Sequence, residues 1–323
     1  MNKHATPFGE IHLVAIDLDG TLLQPDMRLS DRARNAILRI QKTGVEVVIA
    51  SGRPYCSLPE TVTQLPGLSY AITSNGAAIH RLPDGARIWG SSLSQAAVEV
   101  ILAETAHFPV LLEAYIAGGA YTEARYFEDP VRWGNPYPAY IWNTRKPVAD
   151  MRSFLQQHCR ELDGITVVCM DPAVKRELSH VIGQLAPEVY LTASCSQLLE
   201  IADRQAGKAD ALQRICQKKR VPLFQCAAFG NGENDSRMLQ EVGLGVAVAN
   251  AEPECLAAAD LIAEENKADG VAQVMEAIAA AREAERIKRL RLLLRIVDPA
   301  ENGGIRPVGK LVQQRLKRDL AAE

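Results

Sequence analysis

The strongest constraint on this 323-residue chain is a rhythm: short apolar, β-branched runs alternate with amphipathic stretches near both ends. "IHLVAIDL" reads as a buried strand, and "SDRARNAILRIQKTG" as the helix after it. Ser30 suits the N-cap of that helix and Gly44 its stop. A second strand, "VEVVIAS", is followed by a predicted helix from Pro54 and a third strand, "SYAITS". The rhythm resumes late: a helix from Lys208, strand "CAAFG", a helix after Glu233, strand "GVAVA", a short helix after Glu252 and strand "DLIA". Such alternation predicts an α/β fold, a doubly wound parallel sheet with helices on both faces.

The middle breaks the pattern. From about Ala86 to Thr192 aromatics and prolines accumulate, as in "YFEDPVRWGNPYPAYIWNT". Helical stretches ("SLSQAAVEVILAETA", "ADMRSFLQQHC") mix there with strand-like ones ("ITVVCM", "EVYLTAS"). The expected organisation is a core built from residues 1–85 and 193–283, an inserted α+β domain over 86–192, and a basic helical extension over 284–323. In the extension, "DGVAQVMEAIAAAREAERIKRLRLLLRIVDP" predicts one long helix ending before Pro299. Val271, Val274, Met275 and Ile278 make a first apolar stripe, and Ile287, Leu290, Leu294 and Val297 a second. Arg286, Lys288, Arg289, Arg291 and Arg295 surround the second stripe. It can pack on the core, join copies into a homo-oligomer, or meet an acidic partner.

Composition narrows the function classes. Hydrophobic residues make up 47%, charged residues 23%, and the net charge is −3, a balance that does not point to a nucleic-acid binder as a whole. The basic tail lacks the interleaved aromatics that single strands stack on. Seven cysteines occur without a CxxC pair, which argues against a disulfide framework or zinc site and for a reducing cytoplasm. The start, "MNKHATPFGE", is polar, and no stretch is long enough to span a bilayer, so no membrane role is expected.

The chemistry clusters where strands should end, the place ligands bind in such sheets. "VAIDLDGTLL" puts Asp17 and Asp19 at the end of an apolar run; alternation lets them share a face if the chain stays extended. Two close carboxylates need a cation or a proton between them. In "IASGRP", Ser51 offers a hydroxyl and Gly52 a close backbone approach, before the predicted helix whose N-terminus suits an anion. Lys208 opens a helix, where a cation opposes the helix dipole and a phosphate would repay it. "AFGNGENDSRML" carries Asn231, Glu233, Asn234 and Asp235 in a Gly-rich turn, oxygen donors of the kind a hard cation takes.

These motifs resemble those of the haloacid dehalogenase superfamily: DxDGT, then [ST]GR, then a helix-opening Lys, then GxxxND, in that order. "SNGAAI", "LEIADRQAGKADAL" and "GVAVANAEPECLAAADLIAEENKADGVA" look like its Cof-type sugar and metabolite phosphatases, over about residues 10 to 280. The resemblance implies a Rossmann-like core with an inserted cap, and a Mg²⁺-dependent phosphomonoester hydrolase acting on a small phosphorylated metabolite. It implies Asp17 as nucleophile, forming an aspartyl-phosphate, and Asp19 as general acid and base. Ser51, Gly52, Lys208 and Asn234 would hold the phosphoryl oxygens, with Asn75 lining the site. Mg²⁺ would be held by Asp17, the Asp19 carbonyl, Asn231 and Asp235.

Asn231 stands where the family usually has Asp, which removes a negative charge from the expected metal site. The tail after about residue 283 is also unusual for the family. Two other readings share the residues: a phosphotransferase or mutase, and a catalytically weak metabolite sensor or scaffold. Trp133, Tyr137, Tyr140 and Trp142 could stack on a sugar or base or form the cap's own small core.

Overall fold

The computed structural model describes residues 6–82 and 84–297, with side chains through Arg291. In chain order the first five strands are β1 (Leu13–Ile16), β2 (Glu46–Ala50), β3 (Tyr70–Thr73), β4 (Ala78–Arg81) and β5 (Arg87–Gly90). Six strands of a second sheet follow: β6 (Leu111–Ile116), β7 (Gly119–Glu123), β8 (Lys146–Val148), β9 (Leu162–Val168), β10 (Val189–Thr192) and β11 (Leu198–Asp203). The chain then returns to the first sheet with β12 (Cys226–Gly230), β13 (Leu244–Val248) and β14 (Leu261–Ala263).

The order across the first sheet is β14-β13-β12-β1-β2-β3-β4-β5. Pairing is parallel from β14 to β3. The β4–β5 hairpin adds two antiparallel strands at one edge. The chain leaves β1 toward β2 and later returns to β1's other flank as β12. The carboxyl end of β1 is therefore the point where the winding reverses, the usual place for a ligand crevice.

Alternation along the strands sorts the core into two layers. Val14 and Ile16 of β1, with Val47 and Ile49 of β2, face the helices Asp31–Lys42 and Gly270–Val297. Leu13 and Ala15 face the other way, against Leu212 and Ile215 of the helix Lys208–Lys219 and Met238 of the helix Glu233–Glu241. The α/β class and the doubly wound sheet are as the alternation predicts. Ser30 caps the first helix by accepting from the Ala33 N–H at 3.0 Å.

Two expectations change. No continuous helix starts at Pro54: Tyr55–Ser57 makes a 3₁₀ turn and Glu60–Thr63 a single helical turn. Leu58 lies between them in extended conformation because Pro59 disfavours helical geometry in the residue before it. The anion site at a helix N-terminus after Ser51 is thus not formed. The expected boundaries at 86 and 192 also move, because β5 belongs to the first sheet and β11 to the second.

The second sheet, ordered β10-β11-β9-β6-β7-β8, is the inserted domain. Leu112, Ala114, Ile165, Val167, Leu199 and Ile201 of its central strands pack against its own helices. The alternate residues, Glu113, Tyr115, Thr166 and Glu200 among them, lie on the opposite face, where all four are buried. Glu113 and Glu200 both sit in register with Thr166, one on each side.

The first apolar stripe of the last helix is buried in the core, with Val271, Met275 and Ile278 at most 2% exposed. Ile287 and Leu290 of the second stripe are half-buried. The side chains of Leu294, Arg295 and Val297, and the remainder of the extension from 298 onward, lie outside the described residues. No helix among the described residues is long and apolar enough to cross a membrane.

Candidate active site

Asp17 is one residue past β1, and its parity is that of Leu13 and Ala15. Its side chain therefore points toward the face where the helix Lys208–Lys219 begins. There Lys208 Nζ donates to Asp17 Oδ1 at 2.7 Å and to Asp235 Oδ1 at 2.7 Å. All three groups are buried: Asp17 is 4% exposed, Lys208 1% and Asp235 0%. Burial would lower the lysine, but Asp17 and then Asp235 outweigh it, so the ammonium stays charged above the ordinary lysine value. Burial pushes the Asp17 carboxyl upward; Lys208 opposes this, and Asp235 and Asp19 add to it. Because Lys208 divides its charge between two carboxylates, Asp17 keeps an unmet demand for positive charge.

That demand faces Asn231. The side-chain amide of Asn231 lies beside the Asp19 carbonyl oxygen, Asp17 Oδ2 and Thr21 Oγ1. With its nitrogen turned to them it donates at 2.8, 3.2 and 2.9 Å. Which end of an amide is which is an assignment from the hydrogen-bond network. With the oxygen turned inward it accepts from the Thr21 hydroxyl at 2.9 Å but faces two acceptors, the Asp19 carbonyl and Asp17 Oδ2, an arrangement that a cation would stabilise. Among the described residues no three His, Cys, Asp or Glu side chains form a cation cage. The oxygens that converge here come instead from one carboxylate, one carbonyl and one amide, a donor set that suits Mg²⁺. Asp235, expected among the ligands, has both oxygens engaged: Oδ1 by Lys208, and Oδ2 by the N–H groups of Asn231 and Gly232 at 3.0 and 3.1 Å. It holds the loop and the lysine rather than offering a free oxygen.

Gly20 makes the approach possible. Its φ is +75°, and a Cβ there would lie 2.5 Å from the end of the Asn231 amide that points away from the oxygen cluster. The turn follows Asp19, and Asp17 and Asp19 both reach the cavity described below. Asp19 meets Arg53 there: Nε donates to Oδ2 at 2.7 Å and Nη2 to Oδ1 at 2.5 Å.

Ser51 ends up fully buried, its Oγ accepting from the Arg53 N–H at 3.1 Å. Gly52 and Asn234 reach the surface of the cavity described below. Asn234 donates to Asn75 Oδ1 at 2.8 Å. Ser74 and Asn75 have φ of 49° and 53°, left-handed values that are uncommon outside glycine.

A family model for haloacid dehalogenase-like hydrolases matches residues 14–275. The chain belongs to the haloacid dehalogenase-like hydrolases. Phosphatase YwpJ of Bacillus subtilis is 28% identical over 281 residues, 82% of this chain and 98% of that one. The 5-amino-6-(5-phospho-D-ribitylamino)uracil phosphatase YcsE of Bacillus subtilis is 28% identical, covering 82% and 95%. A solved haloacid dehalogenase-like hydrolase from B. subtilis superposes with a TM-score of 0.72 at 26% identity, over 82% of this chain and 99% of the other. Together with the ordered motifs these relatives place the hydrolase in the Cof-type group, an enzyme of the phosphatase type.

A cavity of about 330 Å³ lies between the core of the hydrolase and its inserted domain. Asp17, Asp19, Gly52, Asn231 and Asn234 form its floor, and Tyr115, Tyr126, Tyr137, Tyr140 and Arg145 are on its opposite wall. The inserted domain is thus a cap over the site. Tyr137 Oη donates to the Pro25 carbonyl at 3.1 Å across the mouth. Trp133 and Trp142 are not on the cavity wall. Trp133 packs with Tyr126 and Ile141, and Trp142 is half exposed. The cap's aromatics divide between lining the cavity and making a small core.

Sequence reasoning missed Arg53, Glu113, Arg145 and Glu200. Arg145 Nε donates to Glu113 Oε1 at 2.8 Å, and Arg145 Nη1 donates to Ser57 Oγ in the core at 3.0 Å. Arg53 Nη1 donates to the Ser57 carbonyl at 2.9 Å. The Tyr140 ring has the Arg53 and Arg145 guanidiniums 4.7 and 4.9 Å from its centre. A signal existed: "LLEAYI" and "LLEIAD" each carry one glutamate inside an apolar strand, an unusual place for an unneeded charge.

Proposed function

We propose that the protein is a Mg²⁺-dependent phosphomonoester hydrolase of the cytoplasm, working through an aspartyl-phosphate on Asp17. The observation that carries this reading is the buried Asp17 at the end of β1, bonded on one side to Lys208 and meeting on the other the Asn231 amide, which also lies against the Asp19 carbonyl. Asp17 Oδ2, the Asp19 carbonyl and the Asn231 amide oxygen would hold Mg²⁺. When bound, the cation supplies positive charge that offsets repulsion between carboxylate and phosphate.

The chain's own residues do the rest. An Asp17 oxygen attacks phosphorus, the bond from phosphorus to the ester oxygen breaks, and Asp19 gives its proton to the departing alcohol. Asp19, now a carboxylate, takes a proton from water as that water attacks the aspartyl-phosphate, which restores Asp17 and releases inorganic phosphate. Lys208, Gly52 and Asn234 bind phosphoryl oxygens, and the cap excludes water. For Asp19 to act, its fork with Arg53 must open, so the arriving alcohol competes for one of those bonds.

The substrate is a small phosphorylated metabolite whose alcohol half fits a cavity of about 330 Å³. The name of one relative, a phosphatase of a phosphoribitylamino-uracil, fits an alcohol half of that size. A phosphoester screen with Mg²⁺, using Asp17→Asn as the blank, tests the reading. Release of phosphate by the wild type alone supports it. No release from any ester, or equal release by the variant, overturns it.

A further inference from the structure

A second, much smaller cavity of about 10 Å³ lies where the cap sheet meets the turn at Ser74 and Asn75. Its wall includes Ser74 and Asn75 of the core, and Tyr115, Thr166, Thr192 and Glu200 of the cap. Two buried polar atoms on that wall have no hydrogen-bond partner: Ser74 Oγ and Glu200 Oε2. Their residues are 4% and 6% exposed. An unpaired buried polar atom is costly, and two on one cavity wall call for a shared partner.

The cap sheet shows what Glu200 lacks. Glu113 and Glu200 occupy mirrored positions on either side of Thr166, on the face away from the cap's own helices. Glu113 is met by Arg145. Glu200 is pushed upward by burial and steadied by Ser194 and Asn75, while Lys208, which also acts on it, is already held by Asp17 and Asp235. Among the described residues no guanidinium bonds to it; the small cavity lies beside it.

We propose that this cavity is a binding site for one ordered water that joins cap to core. The volume is that of a single water, and the partners number enough to hold it. The Ser74 hydroxyl donates to the water, and the water donates to Glu200 Oε2. Ser74 precedes Asn75, whose amide oxygen receives Asn234. The bridge therefore ties cap strand β11 to the left-handed loop that aims Asn234 at the phosphoryl group, and makes Glu200 a positioning residue. This last step rests on the phosphatase reading; the water site does not.

Two measurements decide. A high-resolution crystal structure of the full chain should show one oxygen peak within hydrogen-bond distance of both atoms. An empty cavity, a direct Ser74–Glu200 bond, or an anomalous peak there after a rubidium soak would each overturn the water. Calorimetry with inorganic phosphate, in Ser74→Ala, Glu200→Gln and the double variant, tests the positioning role, with melting curves to establish folding. Each single change should weaken phosphate about tenfold, and the double no more than the worse single. Independent, additive losses, or unchanged phosphate binding in folded variants, would overturn it. A wild type that binds no phosphate would instead count against the phosphatase reading, with the crystal still deciding the water.

Discussion

The side-chain amide of Asn231 lies 2.8 Å from the backbone carbonyl oxygen of Asp19, with its nitrogen turned toward it. An aspartate at this position could not make that bond. Asparagine can offer nitrogen to the oxygen cluster when no cation is bound and, after half a turn of the amide, oxygen when one is. Asn231→Asp should therefore lower the melting temperature in chelator, by the equivalent of about 1–3 kcal/mol, through carboxylate repulsion. Added Mg²⁺ should raise the melting temperature of the variant more than that of the wild type. Melting curves with and without Mg²⁺ check both signs; equal shifts in the two proteins would refute the account.

Gly20 is expected to tolerate no side chain. Alanine at φ +75° costs about 1–2 kcal/mol for the left-handed conformation alone, and its Cβ would displace the Asn231 amide. Gly20→Ala should lose that stability in urea titration and need more Mg²⁺ for half-maximal turnover. A variant with wild-type Mg²⁺ demand would show that the amide does not touch the cation.

The Arg145–Glu113 pair is buried on both sides, at 4% and 3% side-chain exposure. Removing one partner leaves a lone buried charge. Arg145→Met or Glu113→Leu alone should destabilise by about 3–5 kcal/mol, and the double variant by clearly less than either single. A urea double-mutant cycle measures this. Additive losses would mean that the pair contributes as two independent side chains.

His80 gives the protein an acid limit. Burial and then Arg87 hold its imidazole down to about 4, against 6.5 when unfolded. Its ring stacks on Tyr55 at 4.5 Å, and its Nδ1 lies 3.1 Å from Thr73 Oγ1. Between those two values the unfolded chain takes up a proton that the folded chain refuses. The contribution is present above pH 6.5 and is lost as pH falls toward 4, by about 3 kcal/mol at most. Urea midpoints from pH 7 to 4 should fall less steeply in His80→Gln than in the wild type.

The core was legible because its signals are local. An apolar run followed by Asp17 marks both a strand and its end, and the parity of Leu13, Ala15 and Asp17 then aims the carboxylate at the helix that Lys208 opens. Arg53 was in view within "SGRP" but carried no visible role, since its partner Asp19 lies 34 residues away. Pro59 was equally visible, yet its effect on Leu58 was outweighed by the helical pattern around it. The cap was harder. Glu113, Arg145 and Glu200 come from separate strands and loops, and only the pairing of β6, β9 and β11 brings the two glutamates to either side of Thr166. Register of that kind depends on partners far away in the chain, and no local pattern encodes it.

Ser57 receives one arginine from each domain, Arg53 on its carbonyl and Arg145 on its hydroxyl. Lifting the cap breaks the second contact and spares the first. Asp17, Lys208 and Asp235 all belong to the core and keep their bonds to one another throughout. On the proposed reading, bond-breaking and choice of alcohol are thus housed in separate units that meet at a few polar joints. Such a division lets the cap wall drift toward new alcohols by ordinary surface substitutions, while the machinery beneath it stays untouched.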